Sequence, residues 1–186
     1  RVTRTPSVVI ATRTRPDPLR QTLASIARCD PPPDEVIVVD GSDDRSVEEV
    51  VGAEMPAATY LPASRPGLTR QRNLALDHCR GEIVLFVDDD VELDPSALGI
   101  IRDAYREPDV VGATGRVDEP LGRAFGHKHD PIRRLLLFGG AEGTFTSFGY
   151  PRYLIDLDTA RDVEFMQGCF MSALTSVARD VRFDEQ

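Results

Sequence analysis

Lysine is almost absent from this 186-residue chain. Only Lys128 is a lysine among the 22 basic side chains, and the others are arginines. Acidic side chains number 31, which gives a net charge of −9. A protein this acidic is a poor general binder of nucleic acid, because neutralising many phosphates requires a basic surface. We therefore expect no nucleic-acid partner, although one local cationic spot is enough to hold a single nucleotide.

Long apolar runs are also missing. The runs Ile83–Val87 and Leu135–Phe138 fall far below the roughly 20 residues of a membrane-spanning helix, so we expect no transmembrane segment in this chain. The three cysteines, Cys29, Cys79 and Cys169, are odd in number and lack metal-ligand spacing. Three reduced thiols in a reducing compartment are the simplest interpretation, which predicts a cytoplasmic location.

Three glycine-containing signatures do not occur in the sequence. The absence of G-x-G-x-x-G and of G-x-x-x-x-G-K-[ST] argues against dinucleotide dehydrogenases and P-loop ATPases. The absence of G-x-S-x-G disfavours a serine hydrolase of the α/β type.

Short β-branched runs alternate with helical patterns through the first part of the chain. Strands are predicted at Ser7–Ala11, Glu35–Val39, Thr59–Leu61, Glu82–Val87 and Val110–Val117. Helices are predicted from the N-cap signal Asp17-Pro18 to a point before the Pro31-Pro32-Pro33 run, over Ser46–Gly52, over Thr69–Cys79 with Gly81 ending it, and from Asp94-Pro95 to Arg106. This order predicts an α/β domain with a mostly parallel sheet and helices on both faces.

The second part of the chain is irregular in pattern. We expect a short helix at Ile132–Phe138, one or two strands within Asp162–Leu174 and a short helix at Thr175–Val181. The interpretation is one domain, with a nucleotide-binding-like part over 1–117 and an irregular part over 118–186. The chain starts without Met and ends at Gln186 without a helix end or turn signal, so we expect the native protein to extend further.

Two arginines, Arg133-Arg134, precede the apolar run Leu135–Phe138. One interpretation is a local core helix. The other is an interfacial anchor that gives peripheral contact with the cytoplasmic face of a membrane.

Polar sequence follows three of the predicted strands, at Thr12–Arg15, Asp40–Asp44 and Asp88–Asp90. Turn chemistry explains any one of them. Because ligands of open parallel sheets bind outside the carboxyl ends of the strands, the three together predict a binding site at one edge of the sheet.

The three consecutive aspartates are the sharpest of these features. Adjacent carboxylates repel one another unless a cation or hydrogen-bond donors neutralise them. In extended chain Asp88 and Asp90 point to one side and Asp89 to the other. Two carboxylates on one side suit Mg²⁺ or Mn²⁺, which takes further ligands from water and substrate phosphates. A solvated acidic turn is the alternative.

Together these stretches resemble the family 2 glycosyltransferases, which have the GT-A fold with a Rossmann-like sheet and an irregular acceptor-side part. Four stretches are similar, in order, to the family's patterns: Val8–Pro16 to "vviPtyNRp", Glu35–Asp44 to "eiivvDdgStD", Gly67–Ala75 to "G…aRN.a" and Gly81–Asp90 to "GeyilflDdD". A weaker fifth, Phe183–Glu185, is similar to "gFDE".

The resemblance implies a reaction. A sugar would pass with inversion from a nucleotide-diphosphate sugar, with UDP-sugar favoured, to a hydroxyl of a saccharide or glycoconjugate. The resemblance also implies that Asp88 and Asp89 lie at the nucleotide sugar, Asp88 on the ribose or sugar. It implies that Asp90 binds the metal, Mn²⁺ or Mg²⁺, on the diphosphate.

The resemblance implies further binding roles. Thr12 and Arg13 would lie along the nucleotide, and Asp40 would accept hydrogen bonds from the base or ribose, a solvated turn being the alternative. Arg72, together with Arg70, would pair with a carboxylate or phosphate.

The residue pattern supports a paired role for Arg72. Leu68, Ala75, Leu76 and Cys79 form the apolar face of the predicted helix, and position 72 falls on that face at i+4 spacing. A charge on a buried face must be paired. Its partner is either a ligand or an internal carboxylate that supports only the fold.

The family's usual catalytic base belongs to an acidic pair downstream of the "FDE" motif. The chain ends at Gln186, before such a pair, so no base is assigned. Neither Asp184 nor Glu185 is taken as the base.

Two other functions remain open. A haloacid-dehalogenase-type phosphatase would use Asp88 as nucleophile and Asp90 as acid, and it would need a lysine, for which Lys128 is the only candidate. A non-catalytic nucleotide-sugar-binding module would need no base.

Overall fold

A computed structural model describes residues 4–116, 141, 143–146, 149, 151–152, 154 and 159–186. The chain forms two compact units, one of Arg1–Ala113 with Met171–Gln186 and one of Thr114–Phe170. The predicted helix at Ile132–Phe138, with Arg133-Arg134, and Lys128 lie outside the described residues. The functional division of the chain at about residue 117 stays a prediction.

The strands and helices alternate as the sequence predicts. The strands are β1 (Pro6–Thr12), β2 (Glu35–Asp40), β3 (Thr59–Pro62), β4 (Ile83–Asp88), β5 (Gly112–Thr114) and β6 (Phe170–Leu174). The helices are α1 (Pro16–Ala27), α2 (Ser46–Glu54), α3 (Leu68–His78), α4 (Ala97–Ala104) and α5 (Thr175–Val181). The sheet has the order β3-β2-β1-β4-β6-β5. The neighbouring pairs β3–β2, β2–β1 and β1–β4 are all parallel. The predicted α/β architecture is confirmed.

Helix α3 covers one face of the sheet. Alternate residues of β1, β2 and β4 cluster with the apolar side of α3, and this core consists of Val9, Ile37, Val39, Ala75, Leu76, Cys79, Val84 and Phe86. Helix α5 is tied to α3 because Arg179 donates hydrogen bonds to the carbonyls of Leu76 (2.9 Å) and Cys79 (2.6 Å).

The other face of the sheet is covered as well. Val8, Ile10 and Val38 are fully buried, and successive strand residues point to opposite faces. Helices α1 and α2 pack against each other, and their buried apolar residues are Leu19, Leu23, Ile26, Val47, Val50 and Val51. Within the described parts of the chain, none of the helices combines the length and apolar character that crossing a bilayer requires.

Three predicted boundaries are wrong. Helix α1 starts at Pro16, whose fixed φ suits the first helical position, so Asp17 lies in the first turn and is not the N-cap. Helix α4 starts at Ala97, because the Asp94 carboxylate accepts bonds from the Ser96 N–H (2.8 Å) and hydroxyl (2.6 Å) and holds a turn before the helix. Strand β5 spans three residues, as glycines at 112 and 115 weaken strand pairing.

Gly81 does not end α3, which finishes at His78 with Cys79 as its cap. Gly81 instead allows its own backbone to pass close to the start of β1. A Cβ at position 81 would lie 2.6 Å from the Thr5 carbonyl oxygen and 2.7 Å from the Ser7 nitrogen. Both are backbone atoms, one just before β1 and one within it, so they cannot rotate away as a side chain could.

Gly81→Ala should lower the free energy of unfolding by about 1–3 kcal/mol, because overpacking against backbone forces the strand to shift. Gly52→Ala is the matched control, since a Cβ there meets nothing within 4 Å and alanine favours a helix. Urea denaturation of the two variants compares them. Equal stability of both would contradict the close-approach explanation.

Candidate functional site

The carboxyl ends of β1, β2 and β4 meet at one edge of the sheet. Thr12 of β1 is in register with Asp40 of β2, and Ala11 is in register with Asp88 of β4. The polar stretches that follow these strands therefore lie side by side, as the sequence predicts.

A cavity of about 490 Å³ opens at this edge. Five of the predicted site residues line it, namely Thr12, Arg13, Asp88, Asp89 and Asp90. The described residues that line it do not include Asp40, Arg70 or Arg72. A volume in this range is ordinary for a small-molecule site.

Arg72 forms an ion pair with Asp88, with 3.0 Å between Nη2 and Oδ1. The Arg72 side chain is 8% exposed and that of Asp88 is 38% exposed, so the pair runs from the interior to the cavity wall. The Arg72 guanidinium also lies 5.6 Å from the Phe86 ring centre and 5.5 Å from that of Phe183. The expectation that Arg72 is paired is confirmed, and Asp88 is an internal partner.

Burial raises the pKa of Asp88 above its ordinary value. The Arg72 guanidinium acts in the opposite direction, while the carboxylates of Asp90 and Asp89 raise the pKa further. Asp88 is therefore a carboxylate whose charge depends on its arginine partner.

The extended geometry expected for the three aspartates is wrong after Asp88. Strand β4 ends there and the chain turns at Asp89 and Asp90. Asp89 is buried, and its Oδ2 accepts a hydrogen bond from the Thr12 hydroxyl at 2.6 Å. Asp88 is thus separated from the other two acids, which share a different partner.

That shared partner is Arg15. Its Nη1 lies 2.6 Å from Asp89 Oδ1 and its Nη2 lies 2.7 Å from Asp90 Oδ2. The hydrogen bond to Asp90 and the charge of Asp89 raise the pKa of Arg15, and burial raises that of Asp89. Sequence reasoning assigned no role to Arg15. The available signal was an arginine in one strand-end turn and three uncompensated acids in another.

Asp40 is buried and bonded within the protein. Its Oδ1 accepts bonds from the Ser42 N–H (2.8 Å) and hydroxyl (2.5 Å), and its Oδ2 accepts one from the Tyr60 hydroxyl (2.9 Å). Burial and the bond to Asp40 raise the pKa of Tyr60. Asp40 is therefore not a solvated turn residue, and its contact with a base or ribose stays a prediction.

Gln71 is a site residue that sequence reasoning missed. Its buried amide donates to the carbonyls of Thr12 and Val39, both at 2.8 Å, and so ties α3 to the ends of β1 and β2. Its Oε1 accepts from the N–H of Gly67, whose φ of +154° favours glycine. Leu68 was expected on the apolar face of α3, but it is 50% exposed and lines the cavity.

Arg70 points to the C-terminal residues. Its Nη2 donates to the Glu185 carbonyl at 3.0 Å, and its Nε lies 3.7 Å from the Glu185 carboxylate.

Carboxylate oxygens are the donors that this edge offers to a metal ion. Across the described ranges, no group of three His, Cys, Asp or Glu side chains is arranged to hold one. Asp90 is half exposed at the cavity, and Asp88 is partly exposed there. One or two hard oxygen donors fit an ion such as Mg²⁺ or Mn²⁺ whose other ligands come from a bound diphosphate and water.

Comparison with known proteins agrees with the fold described above. The family model described as Glycosyl transferase family 2 matches residues 7–181. No curated protein sequence matches the chain significantly. Neither the phosphatase alternative nor the non-catalytic module gains support from these comparisons.

Several solved structures share the fold. The mannosyltransferase PcManGT from Pyrobaculum calidifontis, in complex with GDP-Man and Mn²⁺, is 20% identical with a TM-score of 0.66, over 98% of this chain and 48% of that one. S. aureus TarS 1-349 in complex with UDP is 20% identical with a TM-score of 0.66, over 97% and 50%. M. tuberculosis glucosyl-3-phosphoglycerate synthase is 20% identical with a TM-score of 0.56, over 94% and 58%. This chain therefore spans about half the length of such proteins.

The buried and exposed acids should respond differently to neutralisation. Asp89→Asn replaces an acceptor oxygen with a donor against Thr12 and Arg15, and should cost about 1–3 kcal/mol of unfolding free energy. Asp90→Asn removes one exposed ion pair and relieves repulsion, and should leave stability unchanged or raised by up to about 1 kcal/mol. Chemical denaturation in chelator measures both. Equal losses of unfolding free energy in the two variants would show that Asp90 is a structural residue.

The aspartates should also titrate in two groups. The pKa of Asp88 and of Asp89 should lie above about 3.9. That of Asp44 and of Asp94 should lie below it, because they accept bonds from Ser46 and Ser96. The contribution of Asp88 and Asp89 to stability is present below pH 3.9 or so and is lost as pH rises through their raised pKa values. Carboxyl ¹³C NMR in metal-free buffer measures the order, and a reversed order would contradict the assignment.

Proposed function

The chain belongs to the family 2 glycosyltransferases, and from that premise we propose that it transfers a sugar from a nucleotide-diphosphate sugar to an acceptor hydroxyl with inversion. The observation that carries this proposal is the cavity at the ends of β1 and β4, where the half-exposed Asp90 lies beside Thr12 and Asp88.

The walls of this cavity suggest how the donor is held. Thr12 and Arg13 lie along the nucleotide, and Arg13 offers an exposed guanidinium to the phosphates. Asp88 faces the ribose or sugar, held in place by Arg72. For Asp40 we propose the predicted contact with the base or ribose. Asp40 also supports the site indirectly, because its bonds to Ser42 and Tyr60 fix the turn after β2.

Asp90 would hold a divalent ion, Mn²⁺ or Mg²⁺, whose further ligands would come from the donor diphosphate and water. When bound, such an ion offsets the negative charge that develops on the leaving diphosphate. Arg15 now neutralises Asp90, so the Arg15–Asp90 ion pair would have to open or be shared if Asp90 held an ion. The Nη2 group of Arg15 would then be available to a phosphate oxygen, while Nη1 could stay paired with Asp89.

Inversion follows from a single displacement. The acceptor hydroxyl loses its proton to a carboxylate base and attacks the anomeric carbon from the face opposite the diphosphate. The diphosphate leaves with the electron pair of the carbon–oxygen bond that breaks. The acceptor class is a saccharide or glycoconjugate. UDP-sugar remains the proposed donor on family grounds, and the similar structures were solved with UDP in one case and GDP-Man in another.

The proposed compartment is the cytoplasm, including the cytoplasmic face of a membrane. Cys29 and Cys79 are buried free thiols, and burial raises the pKa of Cys79 to about 12. Such thiols are inert and fit a reducing environment.

Calorimetry with UDP should show affinity that rises with Mn²⁺ or Mg²⁺ and falls in chelator. Asp90→Asn should abolish the metal-dependent gain. Metal-free affinity should be unchanged or higher, because the change removes a negative charge from the cavity and frees Arg15 from that ion pair. Asp94→Asn is the matched control, because it removes the same charge from an exposed turn outside the cavity. Equal UDP affinity with and without metal would contradict the metal role of Asp90, and preference for GDP over UDP would contradict the proposed donor.

A further inference from the structure

Asn73 is a buried polar residue of α3 whose side chain does not line the cavity. Its Nδ2 donates to the Phe183 carbonyl at 2.9 Å, and its Oδ1 accepts from the Phe183 N–H at 3.0 Å. One amide side chain thus satisfies both backbone groups of one residue, as a neighbouring strand would. The same Nδ2 donates to Glu185 Oε1 at 2.7 Å.

The segment Arg182–Gln186, called here the C-terminal segment, follows one stripe of α3. Arg182 contacts Asp77, Phe183 is held by Asn73, and Glu185 is held by Asn73 and Arg70. Positions 70, 73 and 77 are three and four residues apart and so share one helix face. The segment therefore runs from the C-terminal end of α3 toward its N-terminal end, where Gly67 and Leu68 line the cavity.

Phe183 connects this segment to the site. Its ring meets that of Phe86 edge-on, with centres 5.2 Å apart and planes at 89°. The Arg72 guanidinium lies 5.5–5.6 Å from both ring centres. Cation–π attraction and the loss of solvent together restrict the guanidinium to the position from which it pairs with Asp88.

We infer that Asn73 is a positioning residue of the donor site, acting through Phe183 and Arg72 on Asp88. Asn73 fixes the backbone of Phe183, the Phe183 ring holds the Arg72 guanidinium, and Arg72 sets the position of the Asp88 carboxylate at the cavity wall. This role rests on the proposed function, because it is the donor that Asp88 meets.

The test compares Asn73→Ala with Arg179→Ala. Arg179 anchors α5 to the same helix through the Leu76 and Cys79 carbonyls, so its loss also loosens packing on α3. Asn73→Ala should weaken binding of UDP with Mn²⁺ by about 10-fold or more, the scale on which outer-shell partners act. Arg179→Ala should change it by no more than about 2-fold at a comparable loss of melting temperature.

The Arg72 side-chain N–H resonance gives a readout that does not depend on binding. Between two rings it should be ring-current shifted and slow to exchange in the wild type and in Arg179→Ala. It should lose both properties in Asn73→Ala. A wild type that shows this signal but does not bind UDP contradicts the proposed function, while the contacts from Asn73 through Phe183 to Arg72 remain supported. An Asn73→Ala protein that keeps the signal and the affinity overturns the positioning role.

Phe183→Leu covers the case in which Asn73→Ala does not fold. It keeps the backbone bonds to Asn73 but removes the aromatic face, and it should weaken UDP binding in the same way. Where both single variants fold, their effects should be strongly non-additive in the double variant, because they act along one chain of contacts. Normal binding by Phe183→Leu, or additive losses, overturns the inference.

Discussion

Neutralisation of the three acids at the end of β4 is the constraint on which the rest of this site depends. An apolar strand delivers three adjacent carboxylates to one edge of the sheet, and ionised carboxylates leave water only when they are paired and hydrogen-bonded. Arg72 meets Asp88 from the interior, while Thr12 and Arg15 meet Asp89. Asp90 remains on the surface with one exposed ion pair, so it is the acid most easily given to a ligand.

Helix α3 carries most of the side chains that make this arrangement. Gln71 joins the helix to the ends of β1 and β2, Arg72 reaches Asp88, and Asn73 binds Phe183. Three consecutive residues thus connect the sheet edge, the acidic turn and the C-terminal segment. A buried polar network of this kind is stable only while each member is satisfied, which makes the helix both a core element and the support of the site.

Periodicity and composition predicted much of this fold. Strands β1, β2 and β4 are buried on both faces and therefore read as continuous apolar runs, and the i+4 position of Arg72 showed that it needs a partner. The sequence could not predict that Asp88 pairs with one arginine while Asp89 and Asp90 share another, because this depends on the chain turning after Asp88. The role of Arg15 was equally hidden, since 74 residues of sequence separate it from Asp89. The role of Gly81 was predicted wrongly, because a glycine is needed there for close approach to the backbone at the start of β1 and not for ending α3.

The central claim of the proposed function is that Asp90 binds a divalent ion, which in turn meets the diphosphate of the donor. Paramagnetic broadening by Mn²⁺ in the presence of UDP, followed on assigned amide resonances, locates the ion directly. The account predicts broadening centred on Asp90 that extends to Thr12 and Arg15 and fades toward Glu35 and Ile83, at the opposite ends of β2 and β4. Broadening centred elsewhere, or the same broadening in Asp90→Asn, would contradict it.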